Sequence, residues 1–374
     1  MNLTVRRSDC VSCPRSLQRL NFSQRVSLRP YQQGSPSRAP DSPVVKALGA
    51  ACKVAAMAVS RDRAPATPTE FRMEGQCFAM ITPFTASSNQ VDTKAHEAYV
   101  KFLWEQGGRN VVVNGTTGEF AAMTLEERQQ AAETTRKAFP GIVLNNISTC
   151  CLQDALTLLS HSQQTISTER GQQSIADAVL VLPPYYQAGV TDEGIEEFFR
   201  TILKESELPV LLYNFPANTN SLISPEMYAR LAKDFPLLRG IKNTFADIPL
   251  CTEFKEAAPH LQVYVGADRL TVEALDKGLD GIIGGGGSSA LAAVFVNIYT
   301  AHKAGDRTRA DKLQAQLNAW TDEREAVEVL DIPAGKAALQ ALVPGLTAAV
   351  RAPLVQPGSE QQERLKAATH KSYS

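Results

Sequence analysis

The sequence has almost no net charge. Its 374 residues include 38 Lys/Arg and 39 Asp/Glu, for a formal charge of -1 at pH 7. A balanced chain has no general electrostatic attraction to nucleic acid or to an anionic membrane surface, so we expect neither as a partner. With 44% hydrophobic and 21% charged residues, the composition is that of a globular protein with ample material for a core.

The first 69 residues are nearly free of acidic side chains. They hold 11 Lys/Arg against 3 Asp, a sum of +8, whereas residues 70–374 hold 27 basic against 36 acidic residues, a sum of -9. No apolar run there is long enough for a secretory signal or a membrane span. Because Arg- and Ser-rich, acid-poor leaders are typical of organelle transit peptides, we predict such a peptide for residues 1–69, with a mitochondrial address. A plastid or cytoplasmic location, a disordered basic tail, and a true initiator at Met57 are the alternatives.

The sequence also lacks a cysteine framework. Its seven cysteines are odd in number and scattered, and the C-x-x-C pair of Cys10 and Cys13 lies in the leader without a second pair. The spacing therefore predicts a reducing compartment and no metal site. The Schiff-base chemistry inferred below requires no cofactor either, so we expect none. Four cysteines lie in or beside apolar runs and are expected to be buried thiols: Cys77, Cys150, Cys151 and Cys251.

What the sequence does contain is a regular alternation of short apolar runs and helical patterns. The runs are CFAMIT from Cys77, NVVVNG from Asn110, IVLNNI from Ile142, DAVLVL from Asp177, PVLLYN from Pro209, RGIKNT from Arg239, QVYVGA from Gln262 and GIIGGG from Gly281. Nearly continuous apolar runs are typical of strands covered on both faces. Eight βα repeats, with no G-x-G-x-x-G after the first strand, favour a (β/α)8 TIM barrel over a doubly wound dinucleotide fold.

Helix signals lie between the runs. Thr124 with Glu127 forms a capping box, Ser224-Pro225 predicts a helix start, and Gly107-Gly108 predicts a helix end. One helix carries an apolar stripe at a spacing of three and four residues: Ile195, Phe198, Phe199, Ile202 and Leu203.

These patterns divide the chain into three parts. We predict the leader over residues 1–69, the barrel over 70–290 and a C-terminal helical extension over 291–374. The polar insertion QQTISTERGQQS, residues 163–174, lies between a helix and the fourth strand. Loops of that kind lie on the barrel face opposite the active site, so we expect it to be catalytically neutral.

The most unusual residue is Lys242, which ends the apolar run RGIKNT. Active sites of TIM barrels lie at the C-terminal ends of the strands. A lysine there is partly desolvated, which favours the neutral amine, and a neutral amine attacks ketones to form a Schiff base. The alternative is a lysine that extends to solvent from the rim. Lys336, in IPAGKAALQAL, is a rival amine, but its predicted helix makes a structural role the better interpretation.

Other polar residues are predicted at the same rim. Gly115, Thr116 and Thr117 follow the second strand in NGTTGEF, where hydroxyl and backbone N–H groups could form an anion cradle for a carboxylate, or simply a polar turn. Tyr213 ends the fifth strand and could relay protons, or merely fill the barrel. No metal ligand set accompanies them.

The last two strands end in an acid and a glycine run. Asp268 follows the seventh strand in GAD, and Gly284 and Gly285 open GGGGSS after the eighth. The glycines could bind phosphate, could let a small substrate lie against bare backbone, or could form a tight turn. No lysine follows at P-loop spacing, so a nucleotide site is disfavoured.

Taken in order and spacing, GTTGE, PPYY, YNFP, GIKNT and GAD followed by GGGGSS resemble the dihydrodipicolinate synthase / N-acetylneuraminate lyase family over roughly residues 73–355. The family contains class I pyruvate aldolases and lyases on barrels with a three-helix extension, usually tetrameric. The resemblance implies that Lys242 is the Schiff-base lysine and Tyr213 the proton relay. It also implies a relay hydroxyl on Thr116, 2-oxo-acid carboxylate binding by Thr117, and an interface role for Tyr186 in a homotetramer or dimer.

The resemblance is less specific about the substrate than about the reaction type. In true synthases an arginine stands where this chain has Asn218, two residues after the proline of YNFP, and loss of a bidentate guanidinium is not conservative. PANT is similar to 4-hydroxy-2-oxoglutarate aldolases, which are mitochondrial in animals. YNFP is also similar to 2-keto-3-deoxy-sugar-acid aldolases, and the neuraminate lyase pattern, with leucine at that position, fits less well. We expect a 4-hydroxy-2-oxoglutarate aldolase, with these other members as alternatives.

Two hypotheses from other classes remain. A non-catalytic barrel could bind a 2-oxo acid as a sensor or scaffold. A phosphate-binding barrel, such as a phosphosugar isomerase, would rest on the glycine run alone, and would be inhibited by inorganic phosphate without forming an imine.

Overall fold

Eight parallel strands close into a barrel in the computed structural model, which describes residues 70–87, 89–187, 189–244 and 247–373. The order around the barrel is β1-β2-β3-β6-β7-β8-β9-β10, which confirms the (β/α)8 prediction. The strands are β1 Cys77–Ala79, β2 Asn110–Val113, β3 Ile142–Asn146, β4 Thr165–Thr168, β5 Gly171–Ser174, β6 Ala178–Val181, β7 Val210–Asn214, β8 Leu238–Asn243, β9 Gln262–Val265 and β10 Gly281–Gly284. The predicted transit peptide over residues 1–69 lies outside the described residues.

Helices surround the barrel and continue beyond it. They are α1 Thr93–Glu105, α2 Leu125–Ala138, α3 Leu152–Gln163, α4 Asp192–Glu205, α5 Pro216–Thr219, α6 Pro225–Asp234, α7 Ile248–Ala257, α8 Thr271–Asp276, α9 Gly286–Ala290, α10 Ala292–Lys303, α11 Arg307–Glu325, α12 Asp331–Leu339 and α13 Ser359–Tyr373. Phe295 of α10 packs edge-on against Phe78 of β1 at 5.3 Å between ring centroids, so α10 covers the barrel after its eighth strand. The predicted domain boundary at residue 290 falls just before this helix.

The local helix signals are borne out. The Thr124 hydroxyl accepts from the Glu127 amide at 3.2 Å and the Glu127 carboxylate accepts from the Thr124 amide at 3.0 Å, which is the capping box at the start of α2. Ser224 caps α6 ahead of Pro225, and α1 ends just before Gly107, whose φ is +92°. The α4 stripe is buried as predicted.

Two apolar layers explain why the strands are apolar along their whole length. One set of side chains packs between the strands and the helices, and includes Phe78, Val111 and Leu212. The other fills the interior of the barrel, and includes Leu211 and Tyr213. Because successive strand residues point to opposite faces, most strands contribute to both layers, whereas β8 contributes Leu238 and Ile241 to the outer layer alone.

The polar insertion contains regular structure that the sequence analysis did not predict. β4 and β5 pair as an antiparallel hairpin, from Thr165 opposite Ser174 to Thr168 opposite Gly171. Arg170 in its turn donates to the carbonyls of Arg136 and Phe139 at 2.8 and 2.9 Å, which satisfies free carbonyls at the end of α2. The hairpin lies before β6, at the end of the barrel opposite the strand C-termini.

The cysteine prediction is partly wrong. Cys77 and Cys251 are buried, but Cys150 is half-buried and Cys151 is exposed. Cys151 stands at the N-cap position of α3, where the chain turns at the rim rather than continuing an apolar strand. In the described part of the chain, no helix has the length and apolar character required to cross a membrane.

Candidate active site

Lys242 and Tyr213 lie side by side at the C-terminal end of the barrel. β7 and β8 are parallel neighbours, and their register places Tyr213 directly opposite Lys242. The Lys242 Nζ lies 4.3 Å from the centroid of the Tyr213 ring. Lys242 is only 6% exposed, and among the described residues no carboxylate oxygen lies within 4.0 Å of its Nζ. Within the described ranges, the structure therefore holds a buried amine against a tyrosine ring without a neutralising carboxylate.

The wall behind the amine is apolar. Cys77 of β1 lies close enough to Lys242 to feel its charge. Burial raises the pKa of the Cys77 thiol strongly, and the nearby Lys242 charge only partly opposes this, so the thiol stays neutral. Burial also raises the pKa of Tyr264, which stands opposite Lys242 on β9 and whose hydroxyl donates to the Met73 carbonyl at 3.0 Å. Neither side chain competes with a substrate carbonyl for the amine.

Two threonine hydroxyls flank the Tyr213 hydroxyl. Thr116 Oγ1 and Thr244 Oγ1 each lie 3.4 Å from Tyr213 Oη. These distances exceed an ordinary O–H···O bond, as catalytic contacts often do before substrate tightens them. The sequence analysis named Thr116 but missed Thr244, although it ends the GIKNT motif. A Cβ at Gly266 would lie 2.1 Å from Thr244 Oγ1, so glycine at that position makes room for this hydroxyl.

The predicted anion cradle forms a compact turn after β2. Thr116–Gly118 is a single 3-10 turn that begins at Gly115, and Thr117 is buried within it. A Cβ at Gly285 would lie 3.6 Å from Thr117 Oγ1, so the turn and the glycine run after β10 face each other across a short gap. The cradle, Tyr213 and Lys242 thus belong to one end of the barrel.

Asp268 has a supporting position. Its carboxylate accepts from the Ser288 amide at 3.1 Å, and a Cβ at Gly284 would lie 2.6 Å from its other oxygen, Oδ1. Only glycine at position 284 leaves room for this contact. Burial raises the pKa of Asp268, and hydrogen bonds from Ser288 and Gly285 oppose the shift. The acid is therefore placed to hold the glycine run in position.

Asn218 and Tyr186 lie outside the buried cluster. Asn218 is exposed on α5, and Tyr186 is 88% exposed. Its neighbour Tyr185, which the sequence analysis passed over, instead packs edge-on against Phe120 at 6.2 Å, next to the cradle turn. Burial raises the pKa of Tyr185 to about 12.

Asparagines at the strand ends brace this rim. Asn114 donates to the Asn145 side chain at 2.8 Å, and Asn214 donates to the Asn243 side chain at the same distance. Asn146 donates to the Asn114 carbonyl at 2.7 Å. These buried amide hydrogen bonds join neighbouring strands at the end that carries the site. The signal was present in the sequence, because VVVN, VLNN, LLYN and IKN all place asparagine where an apolar run ends.

The rival amine, Lys336, lies elsewhere. It is fully buried on α12 and forms an ion pair with Glu119 at the end of the cradle turn. In the described ranges, no group of three or more His, Cys, Asp or Glu side chains could hold a metal ion. The chemistry that this arrangement supports is addition of the Lys242 amine to a carbonyl, with proton transfer through hydroxyl groups.

A family model described as the dihydrodipicolinate synthetase family matches residues 72–372. Among curated proteins, a 4-hydroxy-tetrahydrodipicolinate synthase of Staphylococcus haemolyticus is 32% identical over 234 residues, which cover 62% of this chain and 76% of the relative. A 2-dehydro-3-deoxy-D-gluconate/2-dehydro-3-deoxy-phosphogluconate aldolase of Thermoproteus tenax is 28% identical over 239 residues, covering 64% of this chain and 72% of the relative.

Solved structures give the same match. A prophage protein of Escherichia coli K12, described as belonging to the dihydrodipicolinic acid synthase family and solved in complex with pyruvate, superposes with a TM-score of 0.72 at 25% identity. The alignment covers 80% of this chain and 98% of that protein. The likeness therefore extends over the barrel and the helices that follow it.

Proposed function

Because the chain belongs to the dihydrodipicolinate synthetase family, we propose that it is a class I aldolase that cleaves a 4-hydroxy-2-oxo acid to pyruvate and an aldehyde. The observation that carries the proposal is the buried Lys242 amine, 4.3 Å from the Tyr213 ring and without a carboxylate partner among the described residues. No metal or organic cofactor enters the scheme.

The first half of the reaction builds the imine. The substrate carboxylate binds at the Thr116–Gly118 turn, through Thr117, and presents its C2 ketone to Lys242. The amine nitrogen attacks C2 to give a carbinolamine, whose hydroxyl leaves as water. Tyr213, relayed by Thr116, moves the proton from nitrogen to the departing oxygen. A protonated imine on Lys242 results.

The second half breaks the carbon–carbon bond. A base removes the proton of the 4-hydroxyl, the C3–C4 bond breaks, and its electron pair moves into the protonated imine to form an enamine. The aldehyde leaves with the former C4. Protonation at C3 converts the enamine to the pyruvate imine, and water hydrolyses this to pyruvate and free Lys242. Tyr213 supplies and accepts these protons, because its hydroxyl is the group flanked by both threonines.

Within this substrate class, 4-hydroxy-2-oxoglutarate is the leading candidate, on the likeness of PANT to aldolases of that acid. Asn218 is exposed on α5 and carries no charge, so it cannot replace the bidentate arginine that a synthase would use there. Synthesis of hydroxy-tetrahydrodipicolinate is disfavoured for the same reason. A 2-keto-3-deoxy sugar acid is the second candidate, favoured by the Thermoproteus tenax relative, which is named as an aldolase of such acids.

Borohydride trapping with pyruvate, followed by peptide mass mapping, tests the mechanism. We expect the reduced pyruvate adduct on Lys242. An intact protein that forms no adduct there would exclude Schiff-base chemistry. Lyase assays on 4-hydroxy-2-oxoglutarate, 2-keto-3-deoxygluconate and sialic acid then rank the substrates, and condensation with aspartate semialdehyde at synthase-like rates would overturn the Asn218 argument. An adduct without any turnover would favour the 2-oxo-acid-binding barrel instead.

Assembly and location complete the proposal. An 88% exposed Tyr186 beside the rim supports a dimer or homotetramer in which this ring packs on a second copy. Light scattering on the purified protein tests this, and a monomer at working concentration would contradict it. The basic leader supports a mitochondrial address, which a reporter fused to residues 1–69 tests. A cytoplasmic reporter would contradict it.

A further inference from the structure

The cradle turn is held in a conformation that needs external support. Glu119 follows the turn with φ at +58°, in the left-handed region that residues with a Cβ adopt at a cost. Its amide donates to the Thr116 carbonyl at 3.0 Å, which closes the turn. The positive φ sets the direction in which the chain leaves the turn, so the turn and the position of the Glu119 side chain are fixed together.

The side chain of Glu119 supplies that support by reaching the C-terminal region. Its carboxylate pairs with the Lys336 ammonium of α12, and its Oε2 accepts from the Arg351 amide at 2.9 Å. Both side chains are out of contact with solvent, at 2% and 0% exposure. Lys336 Nζ also donates to the Ala349 carbonyl at 2.9 Å and lies 4.2 Å from the Phe84 ring centroid.

The other charges near this pair are already engaged. Glu119 and the Arg351 guanidinium are the charged groups that act on Lys336. Arg351 is bound to both oxygens of Glu127, at 2.5 Å each, and donates to the Ala122 and Asn89 carbonyls at 2.8 and 2.7 Å. Lys336 is therefore the cation available to Glu119. A buried carboxylate that lost it would be left uncompensated.

From this arrangement we infer that Lys336 is a positioning residue for the 2-oxo-acid carboxylate. Through Glu119 it fixes the turn that carries Thr116 and Thr117, and so couples the C-terminal helices to substrate binding. Lys336 touches neither the substrate nor Lys242. Its effect falls mainly on affinity, because Thr244 lies as close to the Tyr213 hydroxyl as Thr116 does and can serve the proton relay if Thr116 shifts. The inference rests on the proposed function, because it assumes that the turn binds the substrate carboxylate.

The test replaces the whole pair. Glu119→Gln with Lys336→Met leaves no unpaired buried charge, and such neutral replacements fold well. We expect wild-type thermal stability, kcat within twofold, and a KM for the 2-oxo acid raised about tenfold, the change expected when ~1.4 kcal/mol of fixed geometry is lost. The matched control is Lys255→Met with Asp280→Asn, a partly buried pair at the opposite end of the barrel, with Nζ–Oδ2 at 2.9 Å, whose loss should leave KM unchanged.

The dependence of KM on pH is a second test, because a purely structural role of the pair would leave it unchanged. Burial lowers the pKa of Lys336 to about 8, against the opposing charge of Glu119. Above this pH the wild-type pair loses its ionic character, so wild-type KM should rise, whereas the double variant should keep a constant, raised KM. A stable double variant with wild-type KM and wild-type pH dependence would overturn the inference.

Different results would overturn the proposed function and the positioning role of Lys336. Pyruvate trapping on Lys242 depends on the amine and does not require Lys336. Absence of the adduct in the wild type would overturn the proposed function. A normal adduct, with half-saturating pyruvate identical in the wild type and the double variant, would overturn only the positioning role.

Discussion

Two lysines are buried in the described part of this chain, and their surroundings are opposite in kind. Lys242 ends a barrel strand, faces a phenol and has no carboxylate partner within 4.0 Å among the described residues. Lys336 lies on a helix of the C-terminal region, pairs with Glu119 and donates to a backbone carbonyl. The comparison shows that burial alone does not define a reactive amine. What matters is whether the neighbours engage the amine with a carboxylate or leave room for an electrophile.

The largest expected effect comes from Lys242→Arg. A guanidinium is always protonated and cannot attack a ketone, so we expect at least a ~10³-fold loss of kcat. The pyruvate adduct should disappear as well. Rates and trapping mass spectra check both, with the wild type as reference. If an adduct remained on another lysine, such as Lys336, the Schiff-base role would have been assigned to the wrong lysine.

Lys336→Met should have the larger effect on stability. It removes the donor shared by Glu119 and the Ala349 carbonyl, a donor that a neutral amine would keep. The Glu119 carboxylate is then buried and unpaired, which typically costs about 3–5 kcal/mol. Lys242→Met removes a cation without a carboxylate partner and should leave the unfolding free energy unchanged or raised. Urea unfolding of both variants makes the comparison. Equal losses from both would show that Lys242 has a stabilising partner after all.

The pH dependence of stability sharpens the contrast. The pKa of Lys336 is about 8 in the folded protein, below its ordinary value of 10.5. Between these values the unfolded chain binds a proton that the folded protein has released, so this residue makes the unfolding free energy rise with pH. Its burial penalty is fully present below pH 8 and gone above about 10.5, a change on the order of 3 kcal/mol.

Unfolding of the wild type and of the Glu119→Gln, Lys336→Met double variant, from pH 7 to 10, isolates this contribution. The stability of the wild type relative to the double variant should increase across the series. If the difference in unfolding free energy stayed constant, Lys336 would not change protonation between pH 7 and 10.

Tyr213→Phe should slow the reaction without abolishing it. Removal of the hydroxyl deletes the proton relay, a contribution of about 100-fold in kcat. The ring still packs in the barrel, so stability should change little. Single-turnover trapping should show slow imine formation on Lys242. An unchanged rate would place the relay on another group.

Thr244→Val should have the smallest effect. It removes one of the two hydroxyls near Tyr213 Oη, at 3.4 Å, and keeps the side-chain shape. Thr116 lies at the same distance from Tyr213 Oη on the other side. We therefore expect kcat to fall about threefold, a smaller loss than removal of one full hydrogen bond would cause. Steady-state kinetics check it, with Thr252→Val, a half-buried threonine on α7, as the control. A loss as large as that of Tyr213→Phe would make Thr244 an equal partner in proton transfer.

Much of the barrel follows from sequence because its signals are local. Seven of the eight apolar runs contain a whole barrel strand, and RGIKNT contains all of β8 except Leu238. The capping box, Ser224-Pro225 and the α4 stripe each mark helices seen in the structure. Lys242 and Tyr213 could be proposed because each ends such a run, and in a parallel barrel all strand ends meet at one rim.

What sequence did not yield depends on contacts between distant segments. Lys336 was assigned a structural role from the sequence, but its partner could not be predicted. The pair with Glu119 forms only when the C-terminal region folds against the cradle turn, and no pattern within the helix of Lys336 indicates that contact. Thr244 gains meaning only from the Tyr213 hydroxyl beside it. The β4–β5 hairpin was missed since its residues are polar and its pairing is independent of the barrel core.

The β4–β5 hairpin is a suitable site for inserting foreign sequence. Its turn projects at the end of the barrel away from the strand C-termini, and a Cβ at Gly171 would meet no atom within 4 Å. Exposed turns of this kind accept inserted sequence readily. An affinity tag or a surface linker placed between Glu169 and Arg170 would orient the protein on a solid support with its catalytic mouth toward the bulk liquid, so that an immobilised preparation would keep its access to substrate.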